Sequence, residues 1–376
     1  MIYFDHSATT PVAPKVFEAV KPYLNTCFYN ASSLYAGGRE AAAAISKARE
    51  SVAELINASP DEIIFTSGGT EADNTAIIST AVSGREQGRN KIVVSCIEHH
   101  AILDSCEYLR KLGFEIEYLK VDRYGIVNAD DIRRAVDSRT AILSLMYVNN
   151  EIGSIQDIRT ACDIAHENGA LFHTDCVQAL TNRSVNFHEL GADLMSISSH
   201  KIYGIKGCGA LVVKKDVDFA PFMHGGQQES RKRGGTENVP GIVGFGKAAE
   251  MLLNSRDDDI ENMLRHKKYL IERLEADDVL INSPIGSTSP SILNVAFKNV
   301  EAEGMLFFLG RDGICVSMGS ACNSKSVEPS HVIRAINLPE EYMRGCIRIS
   351  FGHGQSDEDC SLLAEKLIKY KNQLKY

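Results

Sequence analysis

No apolar run in the sequence approaches the roughly 18 residues that a membrane-crossing helix needs, and the opening MIYFDHSATTPV has no basic stretch followed by an apolar core. A cytoplasmic protein is the resulting expectation. Basic charge is in short supply too: 40 Lys and Arg stand against 49 Asp and Glu, a net charge of −9, which repels phosphate polymers and anionic lipid except at a local basic patch. Direct nucleic-acid or membrane binding is therefore not expected. The ten cysteines form no CxxC pair and fall mostly within apolar segments, which suits reduced core thiols better than a disulfide framework. Low-complexity linkers, internal repeats and the GxxxxGK[ST] pattern of an ATP-type P-loop are also missing. What is present is a folded composition: 376 residues, 44% hydrophobic and 24% charged. At roughly 150 residues per domain this suggests two domains or one large one.

Short apolar, β-rich runs alternate with longer amphipathic ones. Strand candidates are 62–66, 91–95, 115–119, 141–148, 170–174, 193–198 and 210–214; helical stretches between them include 39–57, 71–83, 100–112, 129–137 and 157–168. Strand and helix in repeating order predict an α/β fold with a mostly parallel, seven-stranded sheet. After a Gly-rich segment at 225–246 the pattern changes to a long charged helix (247–276), strands at 291–297, 313–317 and 346–351, and a helix at 357–372, a smaller α+β domain.

In such sheets ligands bind beyond the carboxyl ends of the strands, and the residues there form a set. Thr66-Ser67-Gly68-Gly69-Thr70-Glu71 joins a strand to a helix start, where free amides and a hydroxyl favour phosphate, although a plain connecting loop has the same look. Asp175, followed by Gln178, is either a helix cap or the buried anion that a protonated pyridine nitrogen needs, with Gln178 in reach of a ring hydroxyl. Lys201, within Ser198-Ser199-His200-Lys201, is either a solvated charge or an amine that forms a Schiff base. Together these match pyridoxal phosphate. His99, in Glu98-His99-His100, reads as an aromatic lid over a ring rather than a metal ligand, since a zinc spacing is missing, and no metal site is expected. Cys322 sits in a Gly/Ser-rich hydrophilic stretch rather than an apolar one. Arg348 alternates with apolar residues, so its guanidinium meets either a substrate carboxylate or a structural Asp or Glu.

These residues resemble the pyridoxal-phosphate-dependent cysteine desulfurases of the NifS/IscS type, in the class V aminotransferase group of PLP fold type I. The likeness covers nearly the whole chain: YFDHSATT at the start, NASS at 30–33, FTSGGTEADN at 65–74, EHHA at 98–101, NNEIGSIQ at 149–156, HTDCVQ at 173–178, SSHKIYGIKG at 198–207, RGGTEN at 233–238, GSAC at 319–322 and IRIS at 347–350. It implies a large cofactor-binding domain over 15–255 and a small domain from 1–14 and 256–376 that carries the cysteine loop. It further implies that Lys201 holds the cofactor and moves the substrate's Cα proton. His99 would stack on the ring, Asp175 would pair with its nitrogen and Gln178 would bond its phenolic oxygen. Gly69, Thr70, Ser198 and His200 would hold the phosphate, with Thr236 of a second subunit in a homodimer. Asn150 would lie by cofactor and substrate, and Arg348 would grip the substrate carboxylate.

The implied activity is removal of sulfur from L-cysteine, leaving L-alanine and a persulfide on Cys322. An acceptor protein for iron–sulfur cluster assembly or tRNA and cofactor thiolation would then take the sulfur. A selenocysteine lyase or small-amino-acid transaminase on the same scaffold is the alternative. Ala31, Tyr35 and Ile205 depart from the residues usual in this group, as does His6-Ser7 where two Asn or Asn-Ala are common; all bear on the shape of the substrate mouth.

Overall fold

The computed structural model describes residues 1–217, 220–319 and 329–375. Its centre is a seven-stranded sheet in the order β2-β8-β7-β6-β5-β3-β4. The strands are β2 (Ile63–Thr66), β3 (Lys91–Ser95), β4 (Glu115–Leu119), β5 (Thr140–Ser144), β6 (Leu171–Asp175), β7 (Leu194–Ser198) and β8 (Gly209–Val213). The pairs among β3 to β7 are parallel. β8 runs antiparallel to both β7 and β2, so β2 points the same way as β7. The expected mostly parallel sheet is therefore present, with one reversed strand.

The sheet's apolar runs are continuous because both faces are covered. Alternate residues diverge: Phe65, Val93, Leu143, Phe172, Ile197 and Val212 enter one core cluster, and their neighbours Ile64, Ile92, Val94, Ile142, Leu194 and Leu211 enter another on the opposite face. The helix His100–Lys111 shows how a flanking helix is selected, burying Ile102, Ser105, Cys106 and Leu109 at spacings of three and four.

A second body of sheet is formed by β9 (Val279–Ile281), β10 (Ile292–Phe297) and β12 (Cys346–Ser350), antiparallel in the order β12-β10-β9. Beside it β1 (Ile2–Tyr3) pairs in parallel with β11 (Ile314–Cys315). Phe4 packs there with Val295, Ile347 and Leu363, so the first residues of the chain join its last third.

The helix Val239–Leu274 links the two bodies: Ile242, Phe245 and Ala249 lie in the large core, and Met263, Leu270 and Leu274 in the smaller one. It begins eight residues before the predicted 247, inside the Gly-rich segment 225–246. A Cβ at Gly246 would lie 2.5 Å from Ala48 Cα, and one at Gly244 would lie 2.7 Å from Ile205 Cγ1. These glycines allow close packing, Gly246 against the helix Ala36–Leu55 and Gly244 against Ile205 and Val20, and make no turn. No helix among the described residues is long and apolar enough to cross a membrane.

Candidate active site

Five strands end at one edge of the large sheet, and each delivers part of the site. After β2 the chain turns at Gly68, whose φ of 154° suits glycine, and a continuous helix over 69–86 begins, with a π-helical turn at Thr75–Ser79. Gly69 is fixed by space: a Cβ there would lie 2.8 Å from Val177 Cγ2. Glu71 secures the turn, accepting from Ser67 N at 2.8 Å and from Arg233 Nε at 2.9 Å. After β3, His99 caps the helix His100–Lys111 by accepting from Ala101 N through Nδ1 at 3.1 Å; a neutral ring then carries its hydrogen on Nε2. Beyond β5 lies Asn150, and β6 ends on Asp175. The short turn from β7 to β8 carries Ser198, His200 and Lys201, because the antiparallel β8 returns at once and leaves the lysine at the sheet edge.

These residues meet in a cavity of about 250 Å³, lined by Gly69, Thr70, His99, Asn150, Asp175, Gln178, Ser198, His200, Lys201 and Arg348. Thr236 is exposed and does not line it. Cys322 lies outside the described residues. Ser7, Ala8, Asp73, Met146 and Val177 complete the lining. Of these, sequence reading singles out only Ser7, as a departure at the substrate mouth, whereas Asp73 looks like one more polar residue of a helix. The Lys201 amine donates to the carbonyls of Ser7 and, at 2.9 Å, Ala8. Gln178 Nε2 donates to Ser7 O at 2.9 Å.

The electrostatics follow from burial. Asp175 is buried and accepts from Val177 N at 2.8 Å; burial pushes its carboxyl up to about 6, against the pull of that N–H and of the Lys201 charge. Asp73, wholly buried beside it, is pushed well above the usual carboxylate range by burial and then by Asp175. Burial and then the Lys201 charge bring His99 down to about 4, and burial does the same to His200. Ser198 Oγ and Asp73 Oδ1 are buried with no hydrogen-bond partner among the described residues.

Both readings of Arg348 have a basis in the structure. Nη2 donates to Asp5 Oδ1 at 2.7 Å and Nη1 to Asn150 O at 3.0 Å, yet Nε has no partner among the described residues and the guanidinium borders the cavity. The remaining nine cysteines form no disulfide among the described residues, and six are buried. Burial raises thiols such as Cys106 and Cys208 to about 12, which keeps them protonated and poor nucleophiles.

Such a site combines an amine, a buried anion, a flat ring and a glycine turn at a helix start. Comparison with known proteins agrees. The aminotransferase class-V family model matches residues 2–363. A cysteine desulfurase IscS of Dictyoglomus turgidum is 46% identical over all of this chain and 95% of its own length. One of Methanosarcina thermophila is 43% identical over all of this chain and 93% of its own. Among solved structures, a NifS-like protein superposes with a TM-score of 0.93 at 32% identity, covering 99% of this chain and all of that one. The chain belongs to the class-V aminotransferase family, in its cysteine desulfurase group.

Proposed function

We propose that the protein is a pyridoxal-phosphate-dependent cysteine desulfurase acting as a homodimer, which takes sulfur from L-cysteine and releases L-alanine. One observation carries this reading: Lys201, Asp175, His99 and the Gly69–Thr70 turn face a single cavity that Arg348 borders. The residues fit the cofactor. The hydroxyl of Ser198, which has no hydrogen-bond partner among the described residues, Thr70, His200 and the amides at the helix start suit its phosphate, with Thr236 of a second subunit completing the cradle. Asp175 suits its ring nitrogen, Gln178 its phenolic oxygen and His99 its face. When bound, pyridoxal phosphate supplies an electron sink that makes the Cα–H bond of an amino acid acidic.

The chain's own groups do the rest. Arg348 binds the substrate carboxylate with the N–H groups that Asp5 and Asn150 leave available, and Asn150 orients the substrate beside the ring. The Lys201 amine takes the Cα proton. Cys322, as thiolate, attacks the substrate sulfur: an S–S bond forms, the C–S bond breaks, and its electron pair stays on Cβ, which is protonated, with His99 the nearby acid. L-cysteine and the Cys322 thiol thus become L-alanine and a Cys322 persulfide. The persulfide sulfur then passes to an acceptor protein for iron–sulfur or thiolation chemistry.

Borohydride reduction of the pyridoxal-phosphate-loaded protein, followed by peptide mass spectrometry, should leave the cofactor on Lys201. The Lys201→Ala variant should carry none and form no alanine from L-cysteine. Cofactor found on another lysine, or alanine formation by the variant, would contradict this reading.

A further inference from the structure

Lys201 borders two spaces. Besides the main cavity, it lines a chamber of about 20 Å³ whose wall also includes His6, Thr181, Tyr203, Asp259 and His353. A space of this size takes one water molecule when two or more polar partners surround it. The wall joins the N-terminal segment, the residues after β6, the turn after β7, the helix Val239–Leu274 and the residues after β12, with Ser291 just before β10. Tyr203 Oη accepts from His353 N at 2.6 Å and lies 3.4 Å from His6 Nδ1, to which its hydroxyl donates when the imidazole carries its hydrogen on Nε2. His353 Nδ1 is 2.7 Å from Asp259 Oδ1, and His353 is exposed.

The junction is built against local preference. Tyr203 has a φ of 67°, a left-handed conformation that a bulky residue adopts only under constraint from its surroundings. At Gly352 a Cβ would lie 2.2 Å from His6 Nδ1 and 2.5 Å from Tyr203 Oη, so only glycine lets the two polar groups meet. Burial lowers His6 to about 4 and raises the Tyr203 phenol, leaving both neutral near pH 7. A neutral imidazole accepts on one nitrogen while donating on the other, as a proton relay must.

We propose that this chamber is a proton passage behind Lys201, in which one water, held by Tyr203 and His6, exchanges hydrogen between the lysine amine and the solvent-facing His353–Asp259 pair. The inference rests on the desulfurase reading, in which Lys201 takes the Cα proton of L-cysteine. An N–H bond of the lysine ammonium breaks as an O–H bond forms on the water. The water passes one of its own protons to the His353 ring, which also lines the chamber and is held by Asp259, and that ring gives one up to bulk water; a solvent proton returns to the lysine amine by the same steps reversed. Hydrogen removed from the substrate is thereby traded for solvent hydrogen before it returns to Cα of alanine.

The loaded enzyme is run on L-cysteine in D2O, and the alanine is analysed by mass spectrometry for deuterium at Cα, with His6→Asn and Tyr203→Phe beside the wild type. Wild-type alanine should carry mostly deuterium there. Both variants should shift the ratio of solvent to substrate hydrogen by about tenfold toward substrate hydrogen, a small share of what a positioned acid–base group contributes. A crystal structure of the cofactor-free protein should place a water within hydrogen-bond reach of both Lys201 Nζ and Tyr203 Oη. An unchanged isotope ratio in both variants, whatever their turnover or melting temperature, would overturn the passage and leave a structural latch; so would a dry chamber. Absence of alanine from the wild type would overturn the desulfurase reading itself.

Discussion

Asp175 shows how one position serves fold and chemistry together. As the last residue of β6 it accepts the Val177 N–H within a turn, with no helix following for it to cap, and its buried carboxyl has only backbone donation among the described residues, so a cationic ring nitrogen is its natural partner. Asp175→Asn keeps the acceptor for Val177 but not the charge. A hydrogen bond to a charged group is worth about 1.5–3 kcal/mol, so the variant should lose roughly 10- to 100-fold in kcat for alanine formation. Steady-state kinetics at wild-type rate would show that the ring nitrogen does not rely on this anion. Arg348 was equally divided in sequence between substrate and salt bridge, and the structure gives it a carboxylate partner in Asp5 while leaving Nε unpaired among the described residues.

At the scale of elements, the strands of the large sheet were legible because each is a short apolar run closed by polar residues, and the ends of those runs hold nine of the predicted site residues that line the cavity, Arg348 coming from β12. Helix limits were harder to read. The Gly-rich stretch 225–246 lies outside the predicted helix 247–276, yet Gly241, Gly244 and Gly246 lie in the helix Val239–Leu274. Glycine costs a helix about 1 kcal/mol against alanine, so the preference reverses only where backbone approach repays it, and sequence spacing does not reveal the partner helix. Gly246→Ala, which would improve an isolated helix, should instead destabilise the protein by about 1–3 kcal/mol through overpacking against Ala48. Urea denaturation measures this; a stabilised variant would mean that the two helices separate at little cost. Asp73 escaped notice for a similar reason: nothing in TEADN marks the residue that tertiary packing buries beside Asp175.

Across the whole molecule, buried titratable groups oppose one another in pH. His6, His99 and His200 are held near 4, so between about 6.5 and 4 the unfolded chain binds protons that the fold refuses, and stability falls as pH drops. Glu98 is the reverse case. Wholly buried and accepting from Ser95 Oγ and Met146 N, it is raised by burial from 4.5 to about 8. The fold therefore keeps a proton that the unfolded chain loses, and stability declines as pH rises from 4.5 to 8, by up to about 1.4 kcal/mol per pH unit. In cofactor-free protein, Glu98→Gln should flatten that decline in urea titrations over this window. An unchanged slope would mean that Glu98 ionises freely in the fold.

The fold and most of the residues that line the cavity could be read from the chain because both follow from local pattern. The meeting of amine and thiol cannot be read that way, since Lys201 and Cys322 are 121 positions apart in the sequence. Peptide mass spectrometry after loaded protein has been exposed to L-cysteine tests it most directly. The expected result is one additional sulfur on Cys322 in the wild type and none there in Lys201→Ala. Alanine accumulating while Cys322 stays unmodified, together with full alanine formation by Cys322→Ala, would contradict it.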